Sequence, residues 1–250
     1  MEHAIIVRDL RKQYKQVNAV DGISFSVPAG GTCALLGGNG AGKTTTLSIL
    51  LGLLLPTSGE VRILGTDVIR HRHAVLPSMN FTSPYVDLPH RLTVAQNLDV
   101  YARLYGIRRR RERLREVART FDLDEIWQRK YGSLSAGQKT RVSLAKSLIN
   151  EPRVLLMDEP TASLDPASAD RVRGWLSDYQ RRIGATVLLA SHNMFEVERL
   201  CDDVVMLRKG RIVDRGTPAS LLQRYGRSNL EEVFIDIARG DERQPEGAAR

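Results

Sequence analysis

Gly37-Gly38-Asn39-Gly40-Ala41-Gly42-Lys43-Thr44 is the stretch whose reading decides the fold. It has the spacing G-x-x-x-x-G-K-[ST] of a phosphate-binding loop. A polyphosphate carries dense negative charge, and bulky side chains would hold it away from the main chain. Glycines let the backbone wrap close and turn its N–H groups inward. A helix beginning near Gly42 adds the positive end of its dipole. In this pattern Lys43 reaches the outer phosphates and the Thr44 hydroxyl ligates magnesium. Residues 32–36 (Thr-Cys-Ala-Leu-Leu) read as a buried strand and residues 45–51 as a helix. That strand–loop–helix setting separates the motif from a chance glycine-rich turn.

Downstream, Val154-Leu155-Leu156-Met157 precedes the carboxylate pair Asp158-Glu159. A short apolar run of this kind reads as a parallel strand buried on both faces. Ligands of parallel sheets bind at the carboxyl ends of the strands, so the pair arrives where the phosphates would sit. There Asp158 can hold magnesium, directly or through water, and Glu159 can accept a proton from an attacking water. A second buried strand, Thr186-Val187-Leu188-Leu189-Ala190-Ser191, delivers His192 to the same edge, where it can sense a γ-phosphate by hydrogen bonding.

Upstream, residues 4–10 and 23–27 read as strands, with Tyr14 in a polar turn between them and Pro28-Ala29-Gly30-Gly31 as a further turn. An aromatic so placed can return to stack on a nucleobase. Residues 60–64 read as a strand, and residues 85–150 as mostly helical, an insertion in an α/β core. Residues 204–207 and 211–213 form a hairpin across Arg208-Lys209-Gly210. Thr217 caps a helix with Pro218 in its first position. Residues 239–250 lack periodicity and are expected to be disordered.

The 250 residues suit one large domain, or one with an inserted subdomain. Of the two cysteines, Cys33 lies in a core strand, which argues against a disulfide framework and fits a reducing compartment. No apolar run approaches the ~20 residues of a membrane helix, and the N-terminus has no apolar signal segment. The chain is therefore expected to be cytoplasmic, or peripheral to a membrane through a partner. The formal charge of +8 suits nucleic acid, an anionic membrane or phosphate ligands without choosing among them. Its densest run is Arg108-Arg109-Arg110-Arg111 with Arg113 and Arg115. Leu104, Ile107, Leu114, Ala118 and Phe121 recur through it at helical spacing, so it reads as an amphipathic helix, broken or not near Gly106, with arginines facing outward.

Leu134-Ser135-Ala136-Gly137-Gln138 precedes a helical run and is locally a capping box. The segment also resembles the LSGGQ signature of ATP-binding-cassette ATPases, with Ala136 for the first glycine. It lies between the phosphate loop and Asp158-Glu159, and the combination is specific to that family. The resemblance covers nearly the whole chain. It implies an α/β fold for residues 1–238: a RecA-like P-loop NTPase core with a mostly parallel sheet, an antiparallel β subdomain, and an inserted helical subdomain over about 85–150. It implies ATP and Mg²⁺ as cofactors, with Gly37, Gly38, Asn39, Gly40, Ala41, Gly42, Lys43, Thr44 and Thr45 as Walker A. Tyr14 would stack on adenine. Thr44 and Asp158 would hold the metal, Glu159 would be the base, and Lys43 and His192 would act on the γ-phosphate. Ser163-Leu164-Asp165 resembles the D-loop. Ser135, Gly137 and Gln138 would contact ATP held by a second copy, so that two chains sandwich two ATPs. Leu230-Glu231-Glu232-Val233-Phe234 resembles a C-terminal motif of daunorubicin-resistance-type exporters.

The implied function is ATP hydrolysis driving a separate transmembrane permease at the cytoplasmic face of the cell membrane, with indirect membrane contact and no nucleic acid. The alternative is a soluble ABC ATPase acting on DNA or ribosomes. Chromosome-maintenance relatives split the site with a long coiled coil and translation-factor relatives carry two cassettes per chain, and neither pattern occurs here. One departure from the family stands out. It normally has a glutamine before the helical subdomain, and here Pro84 falls at that place with Ser83 beside it.

Overall fold

The computed structural model describes residues 2–83, 86–162 and 164–239. Pro84, at the glutamine's place, Ser163 of the D-loop stretch and residues 240–250 of the expected disordered tail lie outside the described residues. Among the described residues the strands form two sheets. The first is antiparallel, in the order β2 (Val17–Pro28), β1 (His3–Tyr14), β4 (Ser58–Ile63), β5 (Thr66–Asp67). The second runs β10 (Arg211–Gly216), β9 (Asp203–Arg208), β3 (Thr32–Leu36), β8 (Thr186–Ser191), β7 (Val154–Asp158), β6 (Met79–Thr82). It is parallel throughout except for β10, which returns antiparallel to β9 across the expected hairpin.

The apolar runs explain the second sheet. Every residue of β3, β7 and β8 is buried. Their side chains alternate between two cores, as the two-residue strand period requires. Ala34, Leu36, Leu155 and Met157 face one core, shared with helices α3 (Val94–Leu104), α4 (Arg110–Thr120), α5 (Ala136–Ser147) and α6 (Pro166–Ile183). Cys33, Leu35, Leu156 and Leu188 face the other, shared with the antiparallel sheet, α1 (Lys43–Leu50) and α2 (Val68–Val75). The remaining helices are α7 (Met194–Leu200), α8 (Pro218–Tyr225) and α9 (Leu230–Arg239). Among the described residues no helix is long and apolar enough to cross a membrane.

Several local expectations need correction. Tyr14 is not in a turn: β1 continues to it, and it pairs with Val17 across a turn at Lys15-Gln16. Cross-strand pairing carries this ribbon through polar residues that strand patterning alone would reject. Asn80-Phe81-Thr82, just before the place of the missing glutamine, is an edge strand paired in parallel with β7. Lys146 and Asn150, on and just beyond α5, hold it there. Lys146 Nζ donates to Phe81 O at 3.1 Å, and Asn80 Nδ2 donates to Asn150 Oδ1 at 2.7 Å. The arginine run straddles a break: α3 ends at Leu104, Gly106 takes φ 65°, and α4 starts at Arg110. Leu104 is 74% exposed rather than part of the buried face. Nor do all the arginines face outward. Arg110 pairs with Asp99, and Arg113 turns in to donate to Ile149 O (3.0 Å) and Leu148 O (2.6 Å). It thereby satisfies carbonyls that the end of α5 leaves open.

Phe121 follows α4, is 2% exposed, and meets Trp175 of α6 edge-on at 4.9 Å between ring centroids. This contact ties the α3–α5 segment to the helices that cover the main sheet. Phe121→Ala is expected to destabilise the chain by about 3–5 kcal/mol, as for large aromatic truncations in cores. Urea unfolding measures it, and a loss under ~1 kcal/mol would mean the site collapses without penalty or the contact is absent.

Candidate functional site

Strand register decides where polar groups can gather. Leu36 pairs with Ser191, and Asp158 pairs with Ala190. Three buried strands therefore end at one edge, and the residues that follow them converge. After β3 the chain makes the glycine loop. A Cβ at Gly37 would lie 2.5 Å from Leu207 O and 2.8 Å from Ala41 Cβ, so only glycine fits. Gly42 caps α1 with φ 101°, and a Cβ there would lie 2.5 Å from Ala19 O of β2. The antiparallel sheet thus packs directly against the loop. Asn39 and Gly40 are exposed at its rim, while Ala41 is buried.

Lys43 heads α1 and is 8% exposed. Its ammonium folds over the loop, donating to Gly37 O at 2.5 Å and Gly38 O at 3.2 Å. Burial pulls its pKa below the usual lysine value, opposed by the charges of Glu159 and Asp158. Thr44 Oγ1 donates to Asp158 Oδ2 at 3.4 Å. Burial, with the Glu159 charge second, holds the Asp158 carboxyl above its ordinary range. A carboxylate in that position gains from a cation. The donor set, a hydroxyl and a carboxylate, consists of hard oxygens of the kind Mg²⁺ takes, with phosphate and water completing its shell. Among the described residues there is no group of three or more His, Cys, Asp or Glu able to hold a metal by themselves. Thr45 is the next residue of α1.

Glu159 takes φ 49°, a left-handed conformation costly for a non-glycine residue and common at functional sites. Its N–H still donates to Ala190 O at 2.8 Å, so the kink is held by the neighbouring strand. The turn carries its carboxylate to His192, whose Nδ1 lies 2.5 Å from Glu159 Oε1. Glu159 also lines a cavity of about 210 Å³ with Ser83, Tyr131 and Lys139. Ser83, beside the place where the family's glutamine would stand, thus shares a cavity with the carboxylate. Ser83 itself is buried.

The structure thus brings Lys43, Thr44, Asp158, Glu159 and His192 together. Tyr14 stands on the β1–β2 hairpin that packs on Gly42, 46% exposed, with Lys12 Nζ 5.0 Å from its ring centroid. Ser135, Gly137 and Gln138 lie elsewhere, lining a separate cavity of about 270 Å³ with Leu164 and Asp165. Their capping box is present: Ser135 Oγ accepts from Gln138 N (3.3 Å) and Gln138 Oε1 accepts from Ser135 N (3.0 Å). At the other flank of the loop, Phe234 of α9 lines an apolar groove of about 170 Å³ with Gly38, Asn39, Gly40 and Ala41. Leu230 and Val233 anchor that helix as fully buried residues. The sequence reading overlooked Glu196, which is 1% exposed behind Ser191 and His192. It sits in an ordinary amphipathic helix pattern, and nothing in the one-dimensional spacing marks it.

The family model described as ABC transporter matches residues 20–162. The chain is 38% identical over 239 residues to "Nod factor export ATP-binding protein I" of Ralstonia nicotianae, covering 92% of this chain and 72% of that protein. It is 36% identical to "Daunorubicin resistance ATP-binding protein DrrA3" of Streptomyces coeruleorubidus, covering 92% and 73%. The fold is similar to the solved structure of cbiO1 from Clostridium perfringens, described as part of an ABC transporter complex. The TM-score is 0.80 at 26% identity, with 96% of this chain and 95% of that one covered.

Gly42→Ala tests the loop geometry. The strained φ and the approach to Ala19 O are expected to weaken ATP binding about tenfold or more. Equilibrium titration with a fluorescent ATP analogue reads it, and an affinity within about threefold of wild type would contradict the close packing at Gly42.

Proposed function

The chain belongs to the ABC transporter family as an ATP-binding, ATP-hydrolysing subunit, and from that premise we propose how it works and with whom. The observation that carries the reading is the convergence of Lys43, Thr44, Asp158, Glu159 and His192 at one sheet edge. The loop's backbone N–H groups and the N-terminus of α1 bind the β- and γ-phosphates. Lys43 leaves the carbonyls of Gly37 and Gly38 for the phosphate oxygens, a stronger, charge-assisted exchange. Thr44 and Asp158 would hold Mg²⁺, which would offset the charge on the phosphate oxygens. Glu159 takes a proton from the attacking water as it reaches the γ-phosphorus, and phosphate leaves from ADP. His192 holds Glu159 through Nδ1 and presents the rest of its exposed ring to the γ-phosphate. Tyr14 stacks on the adenine.

Ser135, Gly137 and Gln138 serve the ATP of a second copy, through the open N–H groups at the start of α5. Two chains then close on two ATPs and reopen after hydrolysis. A separate permease, contacted at the membrane's cytoplasmic face, converts that motion into transport. The relatives named for export and for drug resistance favour export, and favour transport over action on DNA or ribosomes.

Glu159→Gln keeps the shape but is a far weaker base. Turnover is expected to fall about a hundredfold or more, and Mg-ATP to shift the variant to a dimer on size-exclusion chromatography. A variant that stays monomeric with Mg-ATP, both alone and with its permease, would contradict the closing of two copies.

A further inference from the structure

Glu196 is a carboxylic acid in the core, and among the described residues no cation touches it. Its neighbours are hydroxyls: Thr161 Oγ1 donates to Oε1 at 2.7 Å, and Ser191 Oγ lies 3.3 Å from Oε2. The same Ser191 hydroxyl lies 3.4 Å from Glu159 Oε2 and accepts from Asn193 N at 3.0 Å. Thr161 is two residues beyond Glu159, and Ser191 immediately precedes His192. From α7, then, one side chain grips both strand ends that deliver the reactive pair.

We propose that Glu196 is a positioning residue for hydrolysis: through Thr161 and the Ser191 hydroxyl it fixes the Glu159 carboxylate for proton abstraction. The inference rests on the reading of Glu159 as base.

Proton counting sets the form in which it acts. Ser191 has one hydroxyl proton and two carboxyl groups within reach. If Glu196 were ionised, Glu159 and Glu196 would compete for that proton. If Glu196 is the neutral acid, its own O–H donates to Ser191 Oγ, and Ser191 donates onward to Glu159 Oε2. Thr161 still donates to Glu196 Oε1, and every group is satisfied. Burial is the largest influence on Glu196 and raises its pKa; the hydroxyls of Thr161 and Ser191 lower it, the Glu159 charge raises it and the nearby Arg173 lowers it, and the net direction is upward, toward the neutral acid. One oxygen of Glu159 is then held by Ser191 and the other by His192, which leaves the carboxylate a single orientation. An unfixed carboxylate would lose rate through misplacement.

A neutral acid has a neutral mimic. Glutamine keeps one donor and one acceptor at the same places, whereas leucine keeps the volume and neither. The full chain with its permease is assayed for kcat at saturating Mg-ATP, with ATP affinity and Tm measured alongside and Glu159→Gln as reference. Glu196→Gln is expected to keep kcat within about threefold of wild type. Glu196→Leu and Ser191→Ala are expected to lose about tenfold or more in kcat, with ATP affinity changed less than about threefold. The double variant is expected to lose no more than the worse single one, because both act through one hydroxyl. Glutamine as damaging as leucine, or fully additive losses in the double variant, would overturn the proposal. If the leucine variant does not fold, Ser191→Ala decides: wild-type kcat there overturns it. Glu159→Gln inactive beside an unaffected Ser191→Ala would sink this inference alone. Full activity in Glu159→Gln would remove the base reading and this inference with it.

Discussion

A parallel strand buried on both faces can offer polar chemistry only where it ends. That constraint organises the molecule. Every residue of β3, β7 and β8 is buried, and each of these strands is paired on both sides. Register aligns Leu36 with Ser191 and Asp158 with Ala190, so the three chains leave the sheet side by side. The glycine loop, the carboxylate pair and the histidine follow at once. Slipping β7 by one residue would turn Asp158 to the opposite face, and burial on both faces makes that slip expensive.

The edge stores charge and strain that a nucleotide would relieve. Asp158 is held partly desolvated beside Glu159, Lys43 is half withdrawn onto two carbonyls, and Glu159 sits in a left-handed turn. Each costs the fold something. Binding ATP offers Lys43 a partner, and a cation bound with it would do the same for Asp158, which links affinity to the same features that would lower the folded state's stability. The site is also flanked on both sides by elements from distant sequence. The antiparallel sheet reaches it through Ala19 at Gly42, and α9 reaches it through Phe234 at Gly38. Movement of either element would be felt at the phosphates.

How far the sequence alone could be read depends on whether a signal was local. The glycine loop, the four-residue apolar runs before Asp158 and His192, and the cap at Ser135 each carry their meaning within a few residues, and the α/β class was legible from them. Tyr14 and Arg113 were misread, and β6 was not read as a strand, because their conformations come from pairing partners that local patterning does not show. Tyr14 is extended because Val17 pairs with it, and Asn80 because β7 and Asn150 do. Arg113 turns inward because the end of α5 lies beneath it. The break between α3 and α4 was half visible in Gly106. Glu196 was invisible for the same reason as Arg113. A glutamate in an amphipathic helix looks solvated until the fold puts two hydroxyls over it and removes the water.

The second copy proposed to complete the site would bring the start of α5 against the partner's glycine loop. Cross-linking tests it directly. Asn39 and Ala136 are exposed, and the native Cys33 and Cys201 are buried. A chain carrying Asn39→Cys and Ala136→Cys in the Glu159→Gln background would be treated with a short bismaleimide, with and without Mg-ATP. The expected result is a dimer band on denaturing gels that requires Mg-ATP and is lost when either introduced cysteine is left out. A band that forms equally without nucleotide, or no dimer band with it, would contradict the account.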